Sequence, residues 1–169
     1  MKIKWAVIGM IGIFLIVCAF LLITKRTPES SPAPCYTPSS LMISQNELTS
    51  IEKAQKHTLF KIIVPEYLPS GFAFLGVRVN EDKVTLIYED SGGRRITLSE
   101  WKCTGKEYQP YPGEREVSIS GIRGWVSIPG PYSLRWICSD VAVSLSADLS
   151  GGREEVMNEM IRIAESMQC

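Results

Sequence analysis

Hydrophobic positions change rhythm three times along this chain. Trp5 opens and Ile23 closes a run of 19 residues without a charge, WAVIGMIGIFLIVCAFLLI. A helix of that length rises roughly 28 Å, near the thickness of a bilayer's hydrocarbon core. Between Asn46 and His57, Leu48, Ile51 and Ala54 recur at helical spacing behind a Ser44 cap with Glu47 three residues on, which predicts a short helix. The period then falls to two. Alternating or short apolar runs predict strands over residues 60–64, 72–79, 83–89, 95–101, 116–120, 124–128, 132–139 and 141–147. Asn80-Glu81-Asp82 and Asp90-Ser91-Gly92-Gly93 read as hairpin connections.

The last two of these strands assign the faces most clearly. Tyr132, Leu134, Trp136 and Cys138 share a side with Val141, Val143, Leu145 and Ala147 of the next strand, leaving Ser133, Arg135, Ser144 and Ser146 on the other. One face is therefore expected to be core and the other wet. Helical period returns over residues 153–167, where Val156, Met160, Ile163 and Met167 form a stripe suited to cover the core face. The expected fold is α+β: an N-terminal transmembrane helix, then an antiparallel meander of about seven or eight strands covered on one face by a short N-terminal and a longer C-terminal helix.

Composition divides the chain further. Residues 27–40 hold four prolines among serines and threonines and are expected to be an extended spacer. This gives an anchor with basic flanks at 1–26, the spacer at 27–40 and a folded domain at 41–169. Charge is even along the N-terminal run, and the short tail before it is placed inside the cell. Leu15-Ile16-Val17-Cys18 puts Val where a lipid-attachment signal has a small residue, so a retained anchor is expected over a cleaved or lipidated one. The expected location is the cell membrane, crossed once, with the C-terminal domain outside the cytoplasm.

The formal charge of zero conceals an asymmetry. The first 26 residues carry four basic and no acidic side chains, and the remainder carry 14 basic and 18 acidic, a net of −4. That domain lacks the cationic footprint of a nucleic-acid binder. Cys35, Cys103, Cys138 and Cys169 lie on the side placed outside the cell, where disulfides form. Four cysteines allow three pairings. Cys103 with Cys138 is expected because both lie in or beside predicted strands, leaving Cys35 for Cys169. No CxxC spacing occurs and His57 is the sole histidine, so no metal or cofactor site is expected.

Catalytic residues are not expected either. A serine hydrolase needs a base near its nucleophile, yet His57 ends a predicted helix and no G-x-S-x-G elbow is present. The carboxylate pairs Glu154-Glu155 and Glu114 with Glu116 read as solvated charge. Trp101 and Trp125 are the candidate partner contacts, because aromatic side chains outside a core mark interfaces. Trp136 has core parity.

Between two of the predicted strands runs VPEYLPSGF, residues 64–72, whose prolines exclude helix interior and central strand. It reads as a corner, with Tyr67 and Leu68 as anchors and Gly71 reversing the chain. Together with Tyr88, Trp136 and the closing Ala164-Glu165-Ser166-Met167, this pattern resembles the family called domain of unknown function 4367, found in membrane-attached bacterial and archaeal envelope proteins. More distantly it is similar to lipoprotein-carrier and periplasmic stress-sensor domains, whose curved sheets bind acyl chains or lipoproteins. The anchor, the spacer and a one-sided sheet without catalytic residues point to a membrane-anchored, non-catalytic binding or sensing module for an envelope protein, a lipid or a wall component. A lipid or lipoprotein carrier with an acyl cavity between sheet and C-terminal helix is the alternative that the resemblance implies.

Overall fold

The structure, a computed structural model, describes Cys35 and residues 48–80, 82–103, 105, 108–127 and 132–169. The apolar run from Trp5 to Ile23, the spacer apart from Cys35, and the Ser44 cap with Glu47 lie outside the described residues. Among those described, no helix is long and apolar enough to cross a membrane.

The chain builds a helix α1 (Ile51–Gln55), seven strands, β1 (Ala73–Asn80), β2 (Lys83–Glu89), β3 (Arg95–Lys102), β4 (Glu114–Ile119), β5 (Ile122–Ser127), β6 (Ser133–Cys138) and β7 (Val141–Ala147), and a helix α2 (Arg153–Glu165). Every strand pairing is antiparallel, and the α+β class is as expected. The order across the sheet is β1-β2-β3-β7-β6-β5-β4. It is therefore two meanders and not one. After β3 the chain crosses to the far edge and works back, so that β7 closes the sheet against β3.

Alternation survives in the structure because one face is buried. Val84, Leu86, Ile96, Leu98, Leu134, Trp136, Val143 and Leu145 are all buried in a single cluster with Val156, Met160 and Ile163 of α2 and Ala54 of α1. A strand that slipped by one residue would turn this whole set to water, which pins the register. Tight turns fix it locally: Ser120 and Gly121 both take positive φ, 47° and 85°, between the paired residues Ile119 and Ile122, the geometry of a two-residue hairpin.

Two elements differ from expectation, each because its backbone groups are used elsewhere. Helix α1 begins at Ile51 behind a Ser50 cap and does not run on from Asn46, since Thr49 exchanges hydrogen bonds with Val77 of β1 at 2.8 and 2.9 Å. Residues 60–64 form no strand. Their donors go to side chains: Ile62 N to Gln55 Oε1 at 2.9 Å and Ile63 N to Glu100 Oε2 at 3.0 Å. Phe60 and Ile62 are nonetheless buried in the main cluster.

The VPEYLPSGF corner docks on α2 as much as on the sheet. Tyr67 N donates to Ser166 Oγ at 3.1 Å, its hydroxyl donates to Glu159 at 2.9 Å and accepts from Arg162 at 3.0 Å, and the Arg162 guanidinium lies 3.9 Å from the ring centroid. Gly71 reverses the chain at φ 92°. Tyr67→Phe removes the hydroxyl contacts and keeps the ring, so it is expected to lower the midpoint of urea unfolding slightly. An unchanged midpoint would mean that ring packing alone seats the corner.

Both disulfides differ from the expected pairing. Cys35 joins Cys103, and Cys138 joins Cys169. The reason is parity. Cys138 is in phase with Leu134 and Trp136 and lies on the helix-covered face, whereas Cys103 is in phase with Trp101 and faces the other way. Strand β7 also stands between their strands. Cys35 is thereby fixed to the folded unit, five residues before the expected end of the spacer at Ser40.

Candidate functional site: the hydroxyl face of the sheet

Both described helices pack on one side of the sheet, and its other side carries the distinctive side chains. Their placement follows from strand pairing. One row of directly paired residues runs Thr85, Ser99, Ser144, Arg135, Trp125 from β2 to β5. The next runs Thr97, Ser146, Ser133, Ser127, Glu114 from β3 to β4. The serines and threonines are all half-buried, and Thr85 and Ser99 join their hydroxyls at 3.2 Å. Serine is not favoured in strands, so its repetition here is not explained by strand propensity. What it provides is a shallow surface on which another molecule can approach the sheet closely, lined by groups that both donate and accept.

An arginine pillar borders this patch. The Arg135 guanidinium stands 4.0 Å from the Tyr111 ring centroid and 5.0 Å from that of Tyr108, and it pairs with the Glu114 carboxylate. Only 11% of the Arg135 side chain and 2% of the Glu114 side chain reach solvent. Glu114 also accepts from Tyr111 N at 2.6 Å, which closes the loop over the pair. The pair neutralises itself, so the patch carries no net charge from it. Glu114 is thus buried, contrary to the expectation of a solvated carboxylate, because the segment 108–114 folds back over β6. Glu116 is exposed and pairs with Arg123 at 3.3 Å.

The tryptophans separate. Trp101 is 2% exposed, packed with Cys35, Cys103 and Ala142 beneath the disulfide at one end of this face. That position belongs to a packing role rather than to a free contact. Trp125 is half-buried beside Arg135 at the border of the hydroxyl patch. Trp136 is fully buried among core residues on the helix side.

The acid and base candidates from sequence are not brought together. His57 is exposed just beyond α1, where its backbone N–H donates to Ala54 at 2.9 Å. Glu155 accepts from Gly152 N at 2.8 Å and caps α2, while Glu154 is exposed. Among the described residues no group of His, Cys, Asp and Glu side chains is arranged to hold a metal ion.

The most perturbed carboxyl is one the sequence reading passed over. Glu100 lies on the helix-covered face of β3 with no exposure, in phase with Ile96 and Leu98. Burial pushes its pKa up to about 8, against the smaller opposing effect of the Ile63 N–H. Tyr88 is pushed up as well, by burial and then by the nearby Glu100 charge. The signal was available: a charged residue two positions after Leu98 in an alternating strand must point the same way. Arg135 with Glu114 could not be found like this, because the two stand on strands separated by β5 and come together only through the register of both pairings.

Comparison with protein-family models, with curated proteins and with solved structures finds no match to this chain.

Proposed function

We propose that this chain is a membrane-anchored, extracytoplasmic, non-catalytic binding module whose recognition surface is the hydroxyl face of the sheet. The observation that carries the reading is the patch around Ser144 and Ser146, at the centre of the sheet, on the side away from both described helices. Two disulfides accord with an oxidising compartment, as expected beyond the cytoplasmic membrane. The apolar run from Trp5 to Ile23 is the anchor in this proposal, and the partner is an envelope protein, a lipid or a wall component. Likeness to the domain of unknown function 4367 family is part of the proposal and not a premise of it.

An acyl carrier is favoured less. It requires apolar space between sheet and α2, whereas Trp136, Met160 and Ile163 are fully buried in one cluster at that contact.

The test is photo-crosslinking in native membranes from a probe at Ser146, with a control probe at Asn158 on the exposed side of α2. Capture of one species at Ser146, reduced about tenfold by Ser144→Arg, is the expected result, since a long cation on the patch blocks close approach. Equal capture at both positions, or capture indifferent to Ser144→Arg, would remove the hydroxyl face as the recognition surface.

A further inference from the structure

The loop that follows α1 has features the hydroxyl face does not explain. Leu59 is 91% exposed, more than any other large apolar side chain among the described residues. Slack chain is not the reason. Gln55 Nε2 donates to Phe60 O and to Thr58 Oγ1, each at 2.8 Å, and Gln55 Oε1 accepts from Ile62 N at 2.9 Å, so one side chain fixes the loop on both sides of Leu59. Ala54 before it and Phe60 after it are buried in the core. The loop is held in shape with an isobutyl group pointing into water.

Around Leu59 in sequence stand Lys53, Lys56 and Lys61, all exposed. None forms an ion pair with another described residue, whereas Arg94, Arg95, Lys102 and Arg135 each do. Residues 48–64 contain these three lysines and one carboxylate, Glu52, while the rest of residues 27–169 hold 11 basic and 17 acidic side chains. A small cationic, apolar-tipped loop thus projects from an otherwise acidic domain.

We propose that this loop is a bilayer contact: Leu59 enters the boundary between headgroups and acyl chains while Lys53, Lys56 and Lys61 lie against anionic lipid phosphates. The proposal rests on the anchored reading. Only residues 24–34 separate the apolar run from the disulfide at Cys35, a reach of at most about 40 Å, so the domain cannot leave the surface. Under such a tether a contact too weak to recruit a free protein is still populated. Lysine attraction to an anionic surface corresponds to roughly fivefold per residue, so three together strengthen the contact about 100-fold. The acidic remainder of the domain is repelled by the same surface, which gives the contact an orienting effect.

The test places a photo-crosslinking residue at position 59 of the full chain, reconstituted in lipid nanodiscs, with the same residue at Asn158 as control. Discs containing phosphatidylglycerol are expected to give about tenfold more lipid adduct at 59 than discs of phosphatidylcholine alone, and Lys56→Glu with Lys61→Glu to abolish that difference. Adduct at 59 no greater than at 158, or independent of lipid charge, overturns the proposal, as does capture of protein in place of lipid. Co-elution of the chain with discs reads the anchor separately. A chain that crosslinks at 59 without co-eluting keeps the loop contact and discards the anchor.

Discussion

Glu100→Gln is expected to stabilise the domain by about 3 kcal/mol at neutral pH, the reverse of what most buried substitutions do. Glu100 is fully buried, and its folded pKa of about 8 stands above the ordinary 4.5. The folded state therefore holds a proton that the unfolded chain releases, and stability falls as pH rises through that window. Below the lower value both states are protonated and the penalty vanishes; above the higher one it is complete. Glutamine has the same shape, keeps an oxygen to accept from Ile63 N–H and never ionises. The measurement is urea unfolding of both proteins at about pH 5 and about pH 8: the native chain should weaken by several kcal/mol between them through this residue, and the variant should lack that loss. Parallel pH profiles would mean that Glu100 has the same pKa in both states.

The disulfides are expected to have a comparable effect. Cys35–Cys103 and Cys138–Cys169 close separations of 68 and 31 residues, and loop-closure entropy alone assigns each about 4 kcal/mol. Replacing Cys138 and Cys169 together by serine should lower the unfolding free energy by about that amount, and reduction of the native chain by more. Peptide mapping without reductant should recover Cys35 linked to Cys103. Linkage of Cys103 to Cys138 would overturn the pairing, and equal stability with and without reductant would overturn its energetic role.

What could be read from the sequence was whatever depends on neighbours along the chain. Strand alternation placed Trp136 in the core and Ser144 on the opposite face, because a period of two needs only the strand itself. Hairpin signals put a turn at Asn80-Glu81-Asp82, where the structure pairs Asn80 with Lys83, and the corner at Pro65 to Phe72 was recognisable because proline and glycine restrict the backbone directly. The meeting of β3 with β7 was not readable, since residues such as Leu98 and Leu145 find each other through the whole fold. Everything that depends on that meeting was hidden with it, including the continuity of the hydroxyl patch from Ser99 to Ser144 and from Thr97 to Ser146. Cysteine pairing fell between the two cases. Extending the alternation of β3 past Trp101 would have shown that Cys103 and Cys138 look in opposite directions.

The helix that was expected to begin at Asn46 gives a related lesson. Its apolar spacing was real, and Ile51 and Ala54 do face the core. Local propensity lost at Thr49 because the edge of β1 offered two hydrogen bonds that a helix start could not match.

The position of β7 also bears on how the protein is made. The first meander ends at Lys102, and its last strand has no partner on one side until Val141 to Ala147 have been made. A nascent chain halted before that point presents two sheet fragments, each with an open edge able to recruit a strand from another molecule. Closure of the sheet therefore waits for β7, the strand that joins the two meanders.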